Sequence, residues 1–488
     1  MKNIVIVGSG FGGVTAGALL QKEGYNVTLL EAAAEWGGSA SKYRRNHYRF
    51  PVGATLGMGF EHNGIHERIN SFLGIDVQKR LLSSVMQVDV GKQFISYEQN
   101  RDRFIKEWER VEPNYSNQIR AFFKEAWSIA AGLHAHMAHF PVIPPATVWE
   151  ISALLKGVNL RTFGLPRYLF TTVGDLVEKH DLKECRSFVT FIDGVLLDSM
   201  QTSYENIPAY IGATALDVYH RGAYYIDGGL YELIDELIES IRSNGGVVKK
   251  PRHIKRIVKH ANGYTLYDQR DRSYEADHVV LNMPLLNMKD LLEPHVYETM
   301  ALKWNRREQV DQWGTFTMYV AIKEAAVTDT TPLFSQLQLE DGHHFFVSLS
   351  RKDDVRRAPK GFRTFTISTH ITLSEWQTKA DYDYHKTRLT REIIKKLSQT
   401  IMPNIESYIE WQESGGPIAW ERYTNRKGGG VGGFPQTKEN ALWNAVSHRT
   451  GIPGLWICGD NVYPGAGSIG ASSSGVHVAR SISKKRLL

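Results

Sequence analysis

The residues with the clearest chemical potential lie near the start of the chain, where Gly8, Gly10, Gly12 and Gly13 form a glycine-rich turn in GxGxxG spacing. The turn follows the short apolar run Lys2–Val7, which predicts a buried strand, and it precedes a helical pattern. A strand, a glycine turn and a helix N-terminus in this order bring backbone N–H groups and a partial positive charge to a pyrophosphate. The spacing therefore predicts a dinucleotide-binding site.

A carboxylate stands where such a site meets a ribose. Val27–Leu30 predicts a second buried strand, and Glu31 follows it about 20 residues beyond the glycine turn. An acid there accepts hydrogen bonds from ribose hydroxyl groups and repels the 2′-phosphate of NADP. This motif is compatible with either NAD or FAD as the cofactor. The alternative interpretation is a glycine turn in an ordinary α/β protein, with Glu31 as a solvated charge.

Two further glycine-rich stretches favour FAD. Gly38 and Ser39 follow the acid, and a glycine pair there lets the backbone pass close to a second part of the dinucleotide. Near the other end of the chain, Gly459 and Asp460 close a predicted strand, so that the carboxylate can meet ribityl hydroxyl groups. The turn Pro464–Gly470 and the helix after it can bring N–H groups to a flavin ring. A site assembled from both ends of the chain predicts FAD rather than NAD.

With these pieces in order, the chain resembles the phytoene desaturase and carotene isomerase branch of the FAD-dependent, amine-oxidase-like flavoproteins. The matching segments are spread over the whole chain, and they are Gly8–Gly13, Glu31, Trp36–Ser39, Phe50–Ala54, Tyr224–Gly229, Gly459–Asp460 and Pro464–Gly470. The resemblance implies FAD as cofactor, a long apolar polyene as substrate, and hydride transfer between a carbon chain and the flavin.

The resemblance also implies which residues bind the cofactor. They are Gly8, Gly10, Gly12, Gly13, Glu31, Gly38, Ser39, Ile254, Gly459, Asp460 and Ile469. Among them, the first glycine turn would hold the pyrophosphate, Glu31 the adenosine ribose, and Asp460 the diphosphate–ribityl region. Ile254 would offer its backbone to the adenine, and Ile469 would lie at the flavin ring.

The chain departs from the desaturase pattern at several positions. Ser39 stands where many desaturases carry a basic residue, and Pro51 where they commonly carry an aspartate. The amino-acid sequence of the segment Gly53–Gly59 resembles carotene isomerases more than desaturases. The reaction type therefore stays open between desaturation and flavin-dependent cis–trans isomerisation.

No catalytic acid or base emerges from the motifs alone. By their order in the chain, Arg221, Tyr224 and Tyr463 fall near the flavin motifs, and we take them as the candidate catalytic residues. Each of the three is equally compatible with a packing role.

The pattern of strands and helices around these residues predicts an α/β fold of two domains. One is a Rossmann-type FAD-binding domain, and the other is an inserted substrate domain of antiparallel sheet plus helices. The FAD-binding domain is predicted at residues 1–61, 222–290 and 425–488, and the substrate domain at residues 62–221 and 291–424. Residues 62–230 have mainly helical patterns, whereas alternation from Trp313 onward predicts a half-buried antiparallel sheet.

Composition is typical of a soluble globular protein, with hydrophobic residues at 42% and charged residues at 23%. The net charge of +6 is mild over 488 residues, and we expect no nucleic-acid partner. The two cysteines, Cys185 and Cys458, cannot form a disulfide framework. His134, His136 and His139 do not share one helix face, so we expect no metal site.

No export signal or membrane-spanning apolar run is visible, so we expect a cytoplasmic protein. The segment Val148–Phe170 mixes apolar and basic residues, which adds the expectation of peripheral contact with the inner face of a membrane. The alternative is a helix that lines the core. The sequence leaves the oligomeric state open.

Two other functions are compatible with the same architecture. An FAD-dependent amine oxidase would share the cofactor framework and the aromatic-rich walls. A flavin-free isoprenoid carrier would share the architecture without redox chemistry, although Glu31 and Gly459–Asp460 favour a flavoprotein.

Overall fold

The computed structural model describes residues 2–158, 162–300 and 313–488. Helices in these ranges are α1 (Phe11–Lys22), α2 (Ile65–Leu73), α3 (Arg101–Val111), α4 (Ser116–Met137), α5 (Val148–Lys156), α6 (Val173–Lys179), α7 (Arg186–Met200), α8 (Ala209–Arg221), α9 (Tyr231–Ser243), α10 (Leu285–Met288), α11 (Pro294–Glu298), α12 (Lys379–Gln399), α13 (Pro417–Thr424) and α14 (Gly467–Ser483).

Strands in the same ranges are β1 (Asn3–Val7), β2 (Asn26–Leu30), β3 (Lys42–Arg45), β4 (Tyr48–Pro51), β5 (Gly57–Met58), β6 (Lys79–Leu81), β7 (Ser84–Asp89), β8 (Phe94–Glu98), β9 (Ala223–Ile226), β10 (Val247–Lys249), β11 (Ile254–His260), β12 (Gly263–Asp268), β13 (Ser273–Ala276), β14 (His278–Leu281), β15 (Trp313–Lys323), β16 (Phe334–Gln338), β17 (His344–Leu349), β18 (Phe362–Thr372), β19 (Ile409–Gly415) and β20 (Leu455–Ile457).

A five-stranded parallel sheet carries the nucleotide-binding motifs, in the order β10-β2-β1-β14-β20. Its strands are short apolar runs because both faces of the sheet are covered. Ile4 and Ile6 of β1 face a core formed with α1, α9 and α14, whereas Val5 and Val7 face the opposite core. Since β1, β14 and β20 are neighbours, residues from the beginning, middle and end of the chain meet at the carboxyl edge of this sheet.

Helix α1 is buried on every side, which fits a helix enclosed between a sheet and other helices. Strands β11 and β12 follow β10 along the chain. Together with β13 they form a separate antiparallel sheet. The sheet packs over the second face of the parallel sheet, where Ile257 and Leu266 are buried.

The second domain is built on a seven-stranded sheet in the order β19-β15-β18-β17-β16-β7-β8. Its pairs are antiparallel except β16 with β7. One face packs against α12, through Phe316 and Phe365 on the sheet and Ile393 on the helix. The prediction of a half-buried sheet is wrong, because the other face is also covered. Both faces of β15 are buried along most of its length.

Helices α3, α4, α6, α7 and α8 form a layer with an aromatic core. Trp108, Phe123, Phe188 and Phe191 are fully buried there and contact one another edge to face or at a tilt. The helical pattern predicted for residues 62–230 is therefore present. That pattern missed the hairpin β7–β8, which joins the edge of the seven-stranded sheet.

The α/β two-domain fold class is confirmed, and the domain boundaries stay predictions. Helix α2 lies beyond the predicted boundary at residue 61, yet its Ile65 and Ile69 are buried in the core of the FAD-binding domain. The last residue of β4 and the residue after it link the two domains directly. Thr366 donates a hydrogen bond to the Pro51 carbonyl oxygen at 2.9 Å, and Tyr319 donates one to the Val52 carbonyl oxygen at 3.2 Å.

Candidate functional site

The first glycine turn lies in direct contact with the end of strand β14. Gly8 has a φ of +102°, and a Cβ atom there would lie 2.3 Å from the backbone oxygen of Asn282. A Cβ atom at Gly13 would lie 2.2 Å from the Gly8 carbonyl oxygen. Side chains are thus excluded from the turn by the backbone itself, which leaves the N-terminus of α1 accessible to a phosphate.

Asn282 joins the motifs from the two ends of the chain, and the sequence analysis did not identify it. Its Nδ2 donates to the Gly8 carbonyl oxygen at 3.3 Å. Its Oδ1 would lie 3.0 Å from a Cβ atom at Gly459 and 2.9 Å from one at Gly12. The only sequence signal was a polar residue at the end of an apolar strand.

Gly12 permits the close packing of α1 against α14. A Cβ atom at Gly12 would lie 2.8 Å from the Gly459 nitrogen, and one at Gly475 would lie 2.3 Å from the Gly12 oxygen. Gly12 and Gly13 lie behind the turn and do not line the cavity described below. Their surroundings identify them as packing positions, and a contact with pyrophosphate stays a prediction for these two.

Glu31 is buried and holds two loops together. Its Oε2 accepts hydrogen bonds from the Ser9 backbone N–H at 2.8 Å and from the Ser9 hydroxyl at 2.6 Å. Its Oε1 accepts one from the Ala33 N–H at 2.7 Å, and the Ser9 Oγ in turn accepts one from Gly37 at 2.9 Å. The acid therefore fixes the glycine turn and the glycine pair relative to each other. Its carboxylate oxygens have further acceptor capacity for ribose hydroxyl groups.

Asp460 is paired with an arginine that the sequence analysis also missed. Arg426 Nη2 donates to Asp460 Oδ2 at 2.5 Å, and Arg426 Nε donates to the Gly430 carbonyl oxygen at 2.6 Å. Both side chains are largely shielded from solvent, so the ion pair fixes the carboxylate at the edge of the sheet. The other oxygen, Oδ1, can accept a hydrogen bond from a hydroxyl group of the ribityl chain or from one close to the diphosphate.

A single cavity of about 970 Å³ extends from these motifs into the second domain. One half, which we call the dinucleotide half, is lined by the glycine turns, Glu31, Asp460 and the N-terminal residues of α14. The other half, the apolar half, continues between α4, α7, α8 and the seven-stranded sheet. Its apolar lining residues are Leu133, Met137, Met200, Ile211, Ala215, Val218, Phe346 and Leu442.

Most of the predicted cofactor-binding residues line the dinucleotide half of this cavity. They are Gly8, Gly10, Glu31, Gly38, Ser39, Ile254, Gly459, Asp460 and Ile469. The residues present fit FAD, because a Cβ atom at Gly8, Gly10 or Gly459 would lie 2.3, 2.9 or 3.0 Å from Asn282, so only glycines keep the cradle open at the N-terminus of α1. The buried carboxylate of Glu31 supplies the acceptors that a ribose requires.

Of the three candidate catalytic residues, Arg221 and Tyr463 line the cavity and Tyr224 does not. Arg221 Nε lies 3.3 Å from Glu61 Oε1, so its charge is paired. Tyr224 is half-buried and packs edge-on against Phe60. The catalytic roles of all three residues stay predictions.

Tyr463 is enclosed by apolar and aromatic neighbours. Its hydroxyl lies 3.5 Å from Met137 Sδ, and its ring stacks on His477 with ring centroids 5.8 Å apart. Burial raises the pKa of the Tyr463 hydroxyl, so the phenol stays protonated at neutral pH. Burial, together with the nearby charges of Arg480 and Arg449, lowers the pKa of His477 to about 3.

His134 lies near an acidic side chain, and Cys458 is buried. Among the residues of the described ranges, no group of three or more histidine, cysteine or acidic side chains is arranged to hold a metal ion. His134 Nε2 lies 3.5 Å from Asp217 Oδ2. Cys458 is buried, and burial raises the pKa of its thiol, which keeps the thiol protonated and unreactive.

Comparison with known proteins links this site to one family. The sequence profile of the flavin-containing amine oxidoreductases matches residues 11–483. Prolycopene isomerase 1 of an Oncidium hybrid cultivar is 24% identical over 98% of this chain and 83% of its own length. The 4,4′-diaponeurosporene oxygenase of Staphylococcus aureus is 20% identical over 99% of this chain and 98% of its own length.

Solved structures show the same fold. Putrescine oxidase bound to putrescine superposes with a TM-score of 0.64 at 12% identity, covering 99% of both chains. At this level of identity the likeness concerns the fold alone.

Asn282→Ala tests the junction of the two chain ends. Because the substitution removes the side chain that bridges Gly8 and Gly459, we expect FAD affinity to fall about tenfold. The measurement is flavin content after dialysis, read from absorbance, with Asn244→Ala as the matched control on the exposed end of α9. Full flavin retention in Asn282→Ala would contradict the bridging role.

His477 predicts an acid-sensitive fold. Because the pKa of His477 is lowered in the folded state, the unfolded state binds more protons below pH 6.5. Stability is therefore present above that pH and is lost as the pH falls, by up to about 1.4 kcal/mol per pH unit from this residue. We expect His477→Phe to show a smaller decrease in melting temperature between pH 7 and pH 5 than the wild type. The exposed His47→Phe serves as control, and equal decreases in all three proteins would refute the prediction.

Proposed function

This chain belongs to the flavin-containing amine oxidoreductase family and is an FAD-dependent oxidoreductase, and on that premise we propose that it acts on a long polyene chain. Cis–trans isomerisation is the reaction that we propose first, with desaturation as the second candidate. The observation that carries the proposal is the continuous cavity, whose apolar half opens directly from the dinucleotide half. A substrate held there is surrounded by hydrocarbon side chains and lies beside the cofactor.

The relatives support the choice of substrate and reaction. By their names, the prolycopene isomerase and the diaponeurosporene oxygenase both act on polyenes. Each aligns with 98% or more of this chain. The resemblance of Gly53–Gly59 to carotene isomerases points in the same direction, and Gly53 and Gly59 both line the cavity.

FAD, when bound, supplies the hydride-accepting and hydride-donating chemistry. The residues of the chain would then bind, orient and shield. The glycine turns and Glu31 hold the dinucleotide, while Ile211, Val218 and Phe346 align an extended hydrocarbon and exclude water. In this proposal the protonated Tyr463 hydroxyl, which lies beside Met137 of the cavity wall, can hold or pass a proton. Arg221 and Glu61 form an ion pair at the cavity wall.

The other two functions fit less well. For an amine oxidase, the likeness to putrescine oxidase is at 12% identity, below the 24% and 20% identity to the isomerase and the oxygenase. A flavin-free carrier has no use for a dinucleotide cradle, and the family to which the chain belongs contains flavin. Both candidates therefore rank below the polyene-acting enzyme.

We further propose that the segment Val148–Phe170 contacts a lipid bilayer. No helix within the described ranges is long and apolar enough to cross a membrane. Helix α5 nevertheless exposes Val148 and Trp149, at 81% and 77% of their surface, and Phe163 and Phe170 are similarly exposed at 74% and 85%. A cluster of exposed large apolar side chains is typical of a surface that binds another apolar phase.

The position of this surface favours a membrane as its occupant. Leu154 of α5 packs against a buried cluster of Ile143, Ala445 and Tyr463, and Met137 and Leu442 of the apolar half of the cavity pack against the same cluster. Basic residues lie nearby, because burial and then the charges of Arg486, Arg68, Lys156 and Arg480 lower the pKa of His139. An apolar helix beside basic residues suits an anionic bilayer, from which a polyene could enter the cavity under α5.

Anaerobic incubation with cis polyenes and with saturated precursors tests the reaction. We expect cis substrates to yield trans isomers with no net oxidation, because the reaction changes the configuration of double bonds without removing hydrogen. Product spectra and flavin absorbance, recorded together, separate the outcomes. Flavin bleaching with a longer chromophore would select desaturation, and no change in any polyene would reject the substrate class.

Trp149→Glu tests the membrane contact. Because the substitution places a charge on the exposed apolar surface, we expect binding to phosphatidylglycerol–phosphatidylcholine vesicles to fall about tenfold. The measurement is co-sedimentation with the vesicles. Tyr384→Glu, at an exposed aromatic residue on α12, is the matched control. Equal sedimentation of the two variants would contradict the assignment of this surface.

A further inference from the structure

One wall of the apolar half of the cavity is polar. A pure hydrocarbon substrate has no group that could form hydrogen bonds with this wall. We define the polar wall as Asp198, Gln201, Thr315 and His370, all of which line the cavity. Gln201 and Thr315 are only 4% and 5% exposed, so solvent outside the protein does not reach them. Buried polar groups without a partner are rare in folded proteins and call for a ligand or ordered water.

The strand register brings the polar wall together. Thr315 of β15 is directly opposite His370 of β18 in the antiparallel ladder, so both side chains lie on the same face of the sheet. The C-terminal end of α7 lies beside this face, because His370 Nε2 is 3.1 Å from the Asp198 carbonyl oxygen. Asp198 and Gln201 belong to this end of α7 and to the residue that follows it.

The unpaired atoms of the wall are mainly acceptors. Since a carbonyl oxygen only accepts, His370 Nε2 must donate to Asp198, and the Nδ1 of a neutral imidazole is then an acceptor. Neither His370 Nδ1 nor Gln201 Oε1 has a hydrogen-bond partner among the described residues. The Thr315 hydroxyl also lacks one within those ranges.

Asp198 adds a carboxyl group to the same wall. No hydrogen bond of its side chain is found within the described part of the chain. Burial raises the pKa of Asp198, and burial together with the proximity of Asp198 raises the pKa of the Tyr219 hydroxyl. The oxygens of this carboxyl group can accept hydrogen bonds.

We propose that the polar wall binds a hydroxyl group of the substrate, so that the preferred substrate is a polyene alcohol rather than an unsubstituted polyene hydrocarbon. A hydroxyl donates to one of the unpaired acceptors and accepts from the Thr315 hydroxyl. An ether or a carbonyl group has no proton to donate. The inference rests on the proposed polyene-acting function and deepens it.

The test compares three ligands that differ in one group. The FAD-loaded protein is titrated under anaerobic conditions with a conjugated polyene alcohol, its methyl ether and its parent hydrocarbon, and binding is followed by quenching of tryptophan fluorescence. We expect the alcohol to bind at least about tenfold more tightly than the hydrocarbon, because the latter leaves buried acceptors unpaired. The ether, which lacks a donor, should resemble the hydrocarbon.

Two threonines of the same strand supply a matched pair of variants. Thr315 lines the cavity, whereas Thr317, two residues further on, is equally buried and unpaired within the described ranges but does not line it. We expect Thr315→Val to reduce the preference for the alcohol about fivefold and Thr317→Val to leave it as in the wild type. Flavin absorbance of both variants reports whether each has folded and retained the cofactor.

Three results would overturn the inference. Equal binding of alcohol and hydrocarbon to the wild type would reject the polar wall as a hydroxyl site and leave the proposed function standing. Loss of flavin from Thr315→Val but not from Thr317→Val would assign the wall to the cofactor instead. Failure of all three polyenes to bind would reject the proposed function and this inference together.

Discussion

The close approach of Asn282 to the two glycine turns is the constraint on which the rest of the site depends. Its backbone oxygen occupies the space that a side chain at Gly8 would need, and its amide group lies against Gly459. Parallel strands β1, β14 and β20 are neighbours, so this contact joins segments from both ends and the middle of the chain. A dinucleotide can lie across the edge of the sheet only because the backbone comes this close.

The cavity divides polar and apolar chemistry between the two domains. In the dinucleotide half, the two carboxylates are held by partners within the protein, Glu31 by Ser9 and Asp460 by Arg426. In the apolar half, hydrocarbon side chains dominate, and the polar wall is the exception. This contrast explains why the fold can hold a cofactor firmly while the substrate side is open to variation.

Much of the dinucleotide half was predictable because glycine spacing reports backbone geometry directly. Gly8, Gly10 and Glu31 lie where the motif placed them, and Ile469 lines the same cavity. Asn282 and Arg426 were missed because their contacts are long-range and no local pattern marks them. The hairpin β7–β8 was missed because its strands lie between helices. Burial of both faces of β15 depended on the helical layer and the cavity, which alternation along one strand does not reveal.

The central claim is that one cavity holds FAD in its dinucleotide half and a polyene in its apolar half. A crystal structure of the protein with FAD and a polyene ligand tests it most directly. The account predicts the pyrophosphate against Gly8 and Gly10, the flavin ring at Ile469, and the polyene between Ile211, Val218 and Phe346. A polyene bound outside this cavity, or FAD bound away from the glycine turns, would contradict it.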